Sequence, residues 1–136
     1  MVVRVPIRLK SAFGEVKTTA IANSAYESEV PEAIIPEGVA RELGLYPRLP
    51  PGTEVGDFKV VGGVAKGYRI KDLVEICVDT GDKTVGPKKI VVNVIPGEDE
   101  VLLCDKLIDE LQIELVKSGE GLWRFSGEAC LRKSVR

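Results

Sequence analysis

The side chains that could do chemistry in this 136-residue sequence are carboxylates, lysines and three cysteines, because histidine is absent altogether. Without histidine, neither a Ser-His-Asp triad nor a Cys-His pair can form, and the commonest zinc ligand is missing. Cys77, Cys104 and Cys130 form no C-x-x-C motif, and their odd number argues against a disulfide framework. We therefore interpret them as thiols buried among apolar side chains, and we expect neither a metal ion nor a cofactor.

The overall composition argues against a nucleic-acid or membrane partner. A formal net charge of −2 produces no field that would attract nucleic acid. No apolar run approaches the ~20 residues of a membrane helix, and no signal-peptide pattern opens the chain, so we expect a cytoplasmic protein without a nucleic-acid or membrane partner. The charged fraction of 29%, with one glutamine and two asparagines, is typical of thermophilic proteins.

The elements that must position these side chains are mostly strands. Short apolar segments alternate with turn residues about every ten residues, which is typical of a closed or sandwiched β domain. We predict one domain over 1–128 and a basic tail over 129–136 that either frays or adds an edge strand. The predicted strands form hairpins at 3–22, 57–70 and 114–128, a pair within 72–96, and single segments at the two ends of 101–116.

Two short helices interrupt the strands. The first is predicted within 36–45, where Gly44 stands at the place of a left-handed cap, and the second begins after Asp105, its predicted N-cap. Residues 39–45 and 107–113 are similar in polarity at nearly every position, 68 residues apart (107 minus 39). The similarity has two alternative explanations. Short amphipathic helices can be similar by chance, or the chain consists of two related lobes. Both explanations stay open.

The order of these elements resembles that of the retroviral-type aspartic proteases, the retropepsin-like family. The order is strand, polar turn, short helix, glycine-tipped hairpin, two strands, and then an apolar strand and a second helix. The resemblance runs from about Val2 to Phe125 and is carried by TAIANSA (19–25) leading to IIPEGVARELGL (34–45), and by VLLCDKLIDELQIEL (101–115). It implies an all-β protein, a small closed β-barrel of the acid-protease type with two short helices.

The resemblance also assigns a first turn, in which the family's catalytic triplet is altered. Asn23 stands at the position of the catalytic aspartate, Ser24 at the position of threonine or serine, and Ala25 at that of glycine. Aspartic proteases use two carboxylates that share one proton, each chain of a small dimer supplying one. Asparagine cannot accept a proton, and losing one acid–base group costs ~10²–10⁴-fold in rate. We therefore expect the chain to be catalytically silent.

The resemblance assigns two further parts of the site. A second turn comprises Leu103, Cys104 and Asp105, with Cys104 in place of the family's glycine. The flap, the hairpin that in the family folds over bound peptide, is expected at Val61, Gly62, Gly63 and Val64. These parts predict a homodimer that binds an extended peptide or a protein partner by strand addition.

Two alternatives stay open. The first is an active peptidase of unusual mechanism that uses a carboxylate of the acidic loop, Glu27, Glu29 or Glu32, although a charge run on a loop is usually solvated. The second is a purely structural oligomerisation domain whose cleft is filled by its own side chains.

A literal Asp79-Thr80-Gly81 triplet also occurs, and we predict that it is not the catalytic one. The stretch between Gly81 and Cys104 is too short to hold the first helix and the flap. Polar residues follow the triplet directly, and apolar strand segments lie on both sides, as expected of a solvated hairpin turn.

Overall fold

The computed structural model describes residues 2–60 and 62–135, which contain ten strands, two α-helices and one 3₁₀ turn. Helix α1 spans Glu37–Glu42 and helix α2 spans Asp105–Glu110. The strands are β1 (Arg4–Lys10), β2 (Glu15–Ala22), β3 (Glu32–Ile35), β4 (Glu54–Val60), β5 (Gly63–Asp79), β6 (Thr84–Val94), β7 (Val101–Leu103), β8 (Ile113–Lys117), β9 (Leu122–Phe125) and β10 (Arg132–Lys133). No helix in these two stretches is long and apolar enough to cross a membrane.

Six strands close into a barrel. The order is β1-β2-β7-β3-β6-β5, and β5 pairs back onto β1, while β4 is attached to β5. The pairings β2–β7 and β3–β6 are parallel and the others are antiparallel, so the barrel is mixed. The structure thus confirms the predicted fold class, an all-β barrel with two short helices.

The alternation of side chains along the strands builds the core. Val5, Ile7 and Leu9 of β1 are at most 2% exposed, because residues two apart on a strand share one face. The small sheet β8-β9-β10 adds Trp123 and Phe125, which belong to the same buried cluster. One continuous core therefore joins the barrel and the small sheet.

The two helices have the same local geometry. Gly44, just past α1, has a φ of +73°, which confirms the predicted left-handed cap. Gln112 stands at the matching place after α2 with a φ of +62°, an angle that an L side chain resists at a cost of about 1–2 kcal/mol. The segments that are similar in polarity thus also share a backbone conformation.

The start of α2 differs from the prediction. Cys104, not Asp105, is the N-cap, and its Sγ accepts a hydrogen bond from the Leu107 amide at 3.4 Å. Asp105 is the first helical residue, and its Oδ1 accepts from the Lys106 amide at 2.7 Å and from the Ser28 amide at 3.1 Å. The carboxylate therefore binds both the first turn of its own helix and a distant loop.

Strand β5 is one continuous strand of 17 residues, whereas the sequence predicts a break near residue 71. Its pairing with β6 shifts register between Ile70 and Val74, and Asp72 there has a φ of +64°. A bulge of this kind lets the strand reset its register without leaving the sheet, so that Ile70 and Val74 both lie in the core.

The C-terminal segment forms an edge strand, the second of the two expected outcomes. Strand β10 pairs with β9, and the Arg132 Nη2 lies 2.7 Å from the Glu128 Oε2 and 2.9 Å from the Asp82 Oδ2. The hydrogen bonds from Arg132 and from the Phe125 amide lower the pKa of Glu128 from its ordinary value of 4.5 to about 2.

We expect acid to release this edge strand. Because the pKa of Glu128 is depressed in the folded state, its stabilising effect is complete above about pH 5 and is lost as the pH falls through about 2. The measurement is an NMR titration of the β10 amides between those limits. Glu128→Gln should reduce the pH dependence, and the remainder should come from Asp82, because Arg132 also lowers the pKa of that carboxylate. Release with a midpoint near the ordinary value of a glutamate would contradict the expectation.

Candidate functional site

The first turn directly follows the end of β2. The Asn23 amide donates to the Leu103 carbonyl at 3.3 Å, and the Asn23 Oδ1 accepts from the Ala25 amide at 3.1 Å. The Tyr26 amide closes the turn on the Asn23 carbonyl at 3.0 Å. This is an Asx-type turn, in which the side-chain oxygen replaces a backbone acceptor, and it leaves Ser24 and Ala25 exposed.

The second turn lies beside the first. The Asp105 amide donates to the Tyr26 carbonyl at 2.8 Å, and the Cys104 amide donates to the Glu32 carbonyl at 3.2 Å. Together with the bond from Asn23 to Leu103, these contacts hold residues 23–32 against residues 103–105. The structure thus brings together the two turns that the sequence places 80 positions apart (103 minus 23).

The predicted flap is the hairpin formed by β4 and β5. Its tip carries Gly62 and Gly63 with φ angles of +93° and +145°, and a Cβ at either glycine would meet no atom within 4 Å. The glycines are therefore needed for the backbone angle and not for space. Val64 is 66% exposed, whereas Val61 lies outside the described residues.

The lower part of the hairpin is filled by its own aromatic side chain. Phe58 packs its ring onto the backbone of Gly67, where a Cβ would collide with the ring and would lie 3.2 Å from the Ile95 Cγ1. Gly67 thus permits a close approach that any other residue would block. This contact adds to the backbone pairing between β4 and β5 below the tip.

A polar network that the sequence prediction missed lies between the turns and the hairpin. The Glu32 Oε1 accepts from the Tyr26 hydroxyl at 2.7 Å and from the Asn93 Nδ2 at 3.2 Å, and its Oε2 accepts from the Arg69 Nη1 at 2.8 Å. Arg69 also donates to the Asn93 Oδ1 at 3.3 Å. Burial, and then the bond to Glu32, raises the pKa of Tyr26, so its hydroxyl stays protonated and keeps donating.

The prediction that Glu32 belongs to a solvated acidic loop is wrong. Glu32 begins β3 and is 6% exposed, while Glu27 and Glu29 are exposed as expected. Two signals in the sequence point to the network. Glu32 directly precedes an apolar strand, and Asn93 interrupts the apolar run IVVNVI, where a buried amide requires a partner.

The Asp79-Thr80-Gly81 triplet lies at the turn between β5 and β6, as predicted. The Thr80 amide donates to the Lys83 carbonyl at 3.0 Å, and the Gly81 amide donates to the Asp79 Oδ1 at 2.9 Å. The Asp79 carboxylate also pairs with the Arg8 Nε at 3.2 Å. The triplet therefore stabilises a hairpin.

The cysteines divide into two groups. Cys77 and Cys104 are buried, as expected, but Cys130 is exposed, because it lies in the irregular segment before β10. Among the described residues, no group of three or more histidine, cysteine, aspartate and glutamate side chains is arranged to hold a metal ion.

Comparison with known proteins supports the fold. No protein-family model and no curated protein sequence matches this chain. Among solved structures, the chain is similar to the retroviral protease-like domain of Ddi1 from Leishmania major, with a TM-score of 0.57 and 14% sequence identity. The match covers 100% of this chain and 95% of that one. At this identity the likeness shows a retropepsin-like fold.

Proposed function

We propose that this retropepsin-like domain is a homodimeric module that binds an extended peptide or protein segment without cutting it. The observation that carries the proposal is the amide at Asn23, in the turn where the proteases of this fold hold a carboxylate. An amide can donate and accept hydrogen bonds but takes up no proton near neutral pH. The acid–base step of peptide hydrolysis would then have no group to perform it.

The surroundings of Asn23 support a binding role. The Asn23 Oδ1 accepts a hydrogen bond from the backbone amide of Ala25, so the Asn23 side chain stabilises the turn. Ser24 and Ala25, which follow it, are exposed in the single chain. Retropepsin-like domains typically dimerise, and a two-fold contact at this turn would place the Asn23 side chains of two copies opposite each other.

The flap hairpin supplies the binding surface in this proposal. Its tip exposes Val64 next to two glycines, and below the tip the strands are held together by Phe58 on Gly67. An extended segment could lie between the hairpin and the first turn, held by main-chain hydrogen bonds as in other cases of strand addition. Such bonds require no charged group in the site.

The network around Glu32 disfavours the peptidase that would use a loop carboxylate. Both carboxylate oxygens of Glu32 accept hydrogen bonds, one of them from Arg69, and the side chain is only 8% exposed. A general base must be able to reach and deprotonate a bound water. Glu32 is held away from that role, and only the exposed Glu27 and Glu29 remain in the loop.

The proposal predicts dimerisation and peptide binding that both depend on the first turn. Sedimentation equilibrium should give twice the chain mass of 14.8 kDa. Fluorescence anisotropy with a library of labelled decapeptides should detect binding, with intact peptides afterwards by mass spectrometry. Because a bulky ring on the exposed turn would fill the cleft, Ala25→Trp should weaken binding about tenfold or more.

The matched control is Ala129→Trp, which adds the same ring to an exposed alanine outside the proposed cleft. It should leave both dimer and binding unchanged. Cleaved peptides with the unchanged chain would establish the peptidase instead. A dimer that binds no member of the library would establish a structural oligomerisation domain.

A further inference from the structure

We propose that Glu32 is a positioning residue that joins the first turn, the second turn and the flap hairpin into one unit that moves together. This inference goes beyond the proposed function, because it concerns how the parts of the site are coupled whether or not a peptide is bound. It is carried by the contacts of one residue with all three parts.

The main chain of Glu32 fastens the second turn. Its amide donates to the Cys104 Sγ at 3.3 Å, and its carbonyl accepts from the Cys104 amide at 3.2 Å. The same sulfur accepts from the Leu107 amide at the start of α2. Glu32 and Cys104 of the second turn thus each donate a hydrogen bond to the other.

One carboxylate oxygen of Glu32 fastens the first turn. The Oε1 accepts from the hydroxyl of Tyr26, whose amide in turn donates to the Asn23 carbonyl. The Asn93 Nδ2 donates to both the Glu32 Oε1 and the Tyr26 oxygen, at 3.2 and 3.1 Å. Asn93 is fully buried, so this three-way contact is rigidly held.

The other oxygen reaches the flap hairpin. Arg69, which donates to the Glu32 Oε2, lies on β5, the strand that begins at Gly63 of the flap tip. Arg69 is also the register partner of Asn93 on β6. A movement of the hairpin that displaces Arg69 would therefore leave the buried Glu32 carboxylate without its charged partner.

Burial makes this coupling strong. The Glu32 side chain is 8% exposed and the Arg69 side chain 28%, so water replaces a lost partner poorly. Separating a buried ion pair leaves an uncompensated charge, which is far less favourable than separating an exposed pair. We therefore infer that the hairpin and the two turns change position together and not separately.

Amide hydrogen exchange followed by NMR tests the coupling on the full chain. Arg69→Met removes the charge from the hairpin and keeps a long side chain. We expect exchange to accelerate about tenfold or more both in the hairpin and at the amides of Tyr26 and Asp105, which are bonded to the first turn. The amides of β1, which pairs with β5 only beyond the bulge at Asp72, should keep their rates.

Three further variants sharpen the result. Glu54→Gln breaks an exposed ion pair with Lys71 on the same hairpin and should leave all rates unchanged, whereas Arg69→Lys, which keeps the charge, should restore part of the protection. Glu32→Gln should reproduce the effect of Arg69→Met from the other end. If Glu32→Gln does not fold, Arg69→Met alone decides the question.

Acceleration confined to the hairpin in Arg69→Met, or none at all, would overturn the proposal. Acceleration throughout the barrel, β1 included, would also overturn it, because Arg69 would then only stabilise the whole fold. These readouts use no peptide, so they are independent of whether the proposed binding function holds.

Discussion

A chain carrying Asn23→Asp together with Ala25→Gly is expected to hydrolyse denatured protein at acid pH, where the unchanged chain does not. The first substitution supplies a carboxylate to each copy of the proposed dimer, so that two carboxylates can share one proton. The second lets the turn adopt positive φ angles, which alanine resists at a cost of about 1 kcal/mol. Each restored acid–base group should raise the rate by ~10²–10⁴-fold.

The measurement is the appearance of new peptide termini by mass spectrometry, from about pH 4 to pH 7. Ala25→Gly alone is the matched control, because it has the same glycine and keeps the Asn23 amide, which has the shape of the acid, and it should remain inactive. A transition-state-mimicking peptide should block the gained activity. If the double variant folds and dimerises but cuts nothing, the expectation that only a carboxylate is missing from the site is wrong.

Trp123→Ala is expected to lower the free energy of unfolding by about 3–5 kcal/mol, the usual effect of removing a large buried ring. Trp123 is 1% exposed and packs edge-to-face on Phe125, with the ring centroids 5.0 Å apart. The truncation would leave a cavity where the small sheet meets the barrel core.

Urea unfolding followed by circular dichroism measures this effect, since the variant removes the only tryptophan and with it the usual fluorescence signal. Leu131→Ala, at a residue 45% exposed in the same C-terminal part, should change stability by less than about 0.5 kcal/mol. A similarly small effect at Trp123 would mean that the small sheet contributes little to the fold.

The fold was largely predictable because its signals are local. Alternation of apolar residues marks the strands, Gly44 marks a left-handed cap, and the polar residues after Asp79-Thr80-Gly81 mark a hairpin turn. Each of these depends on neighbours within a few residues, so the sequence shows it directly. The absence of histidine likewise needs no structure to exclude several kinds of active site.

The sequence by itself determined the order of hairpins and helices along the chain, the glycine-tipped hairpin and the amide at Asn23. Only the tertiary structure decided what surrounds them: that Glu32 is buried, and that Cys104 rather than Asp105 caps α2. The physical reason is distance along the chain. The Glu32 carboxylate is buried because Arg69, on another strand, donates to it. No local sequence pattern predicts that these two side chains come into contact.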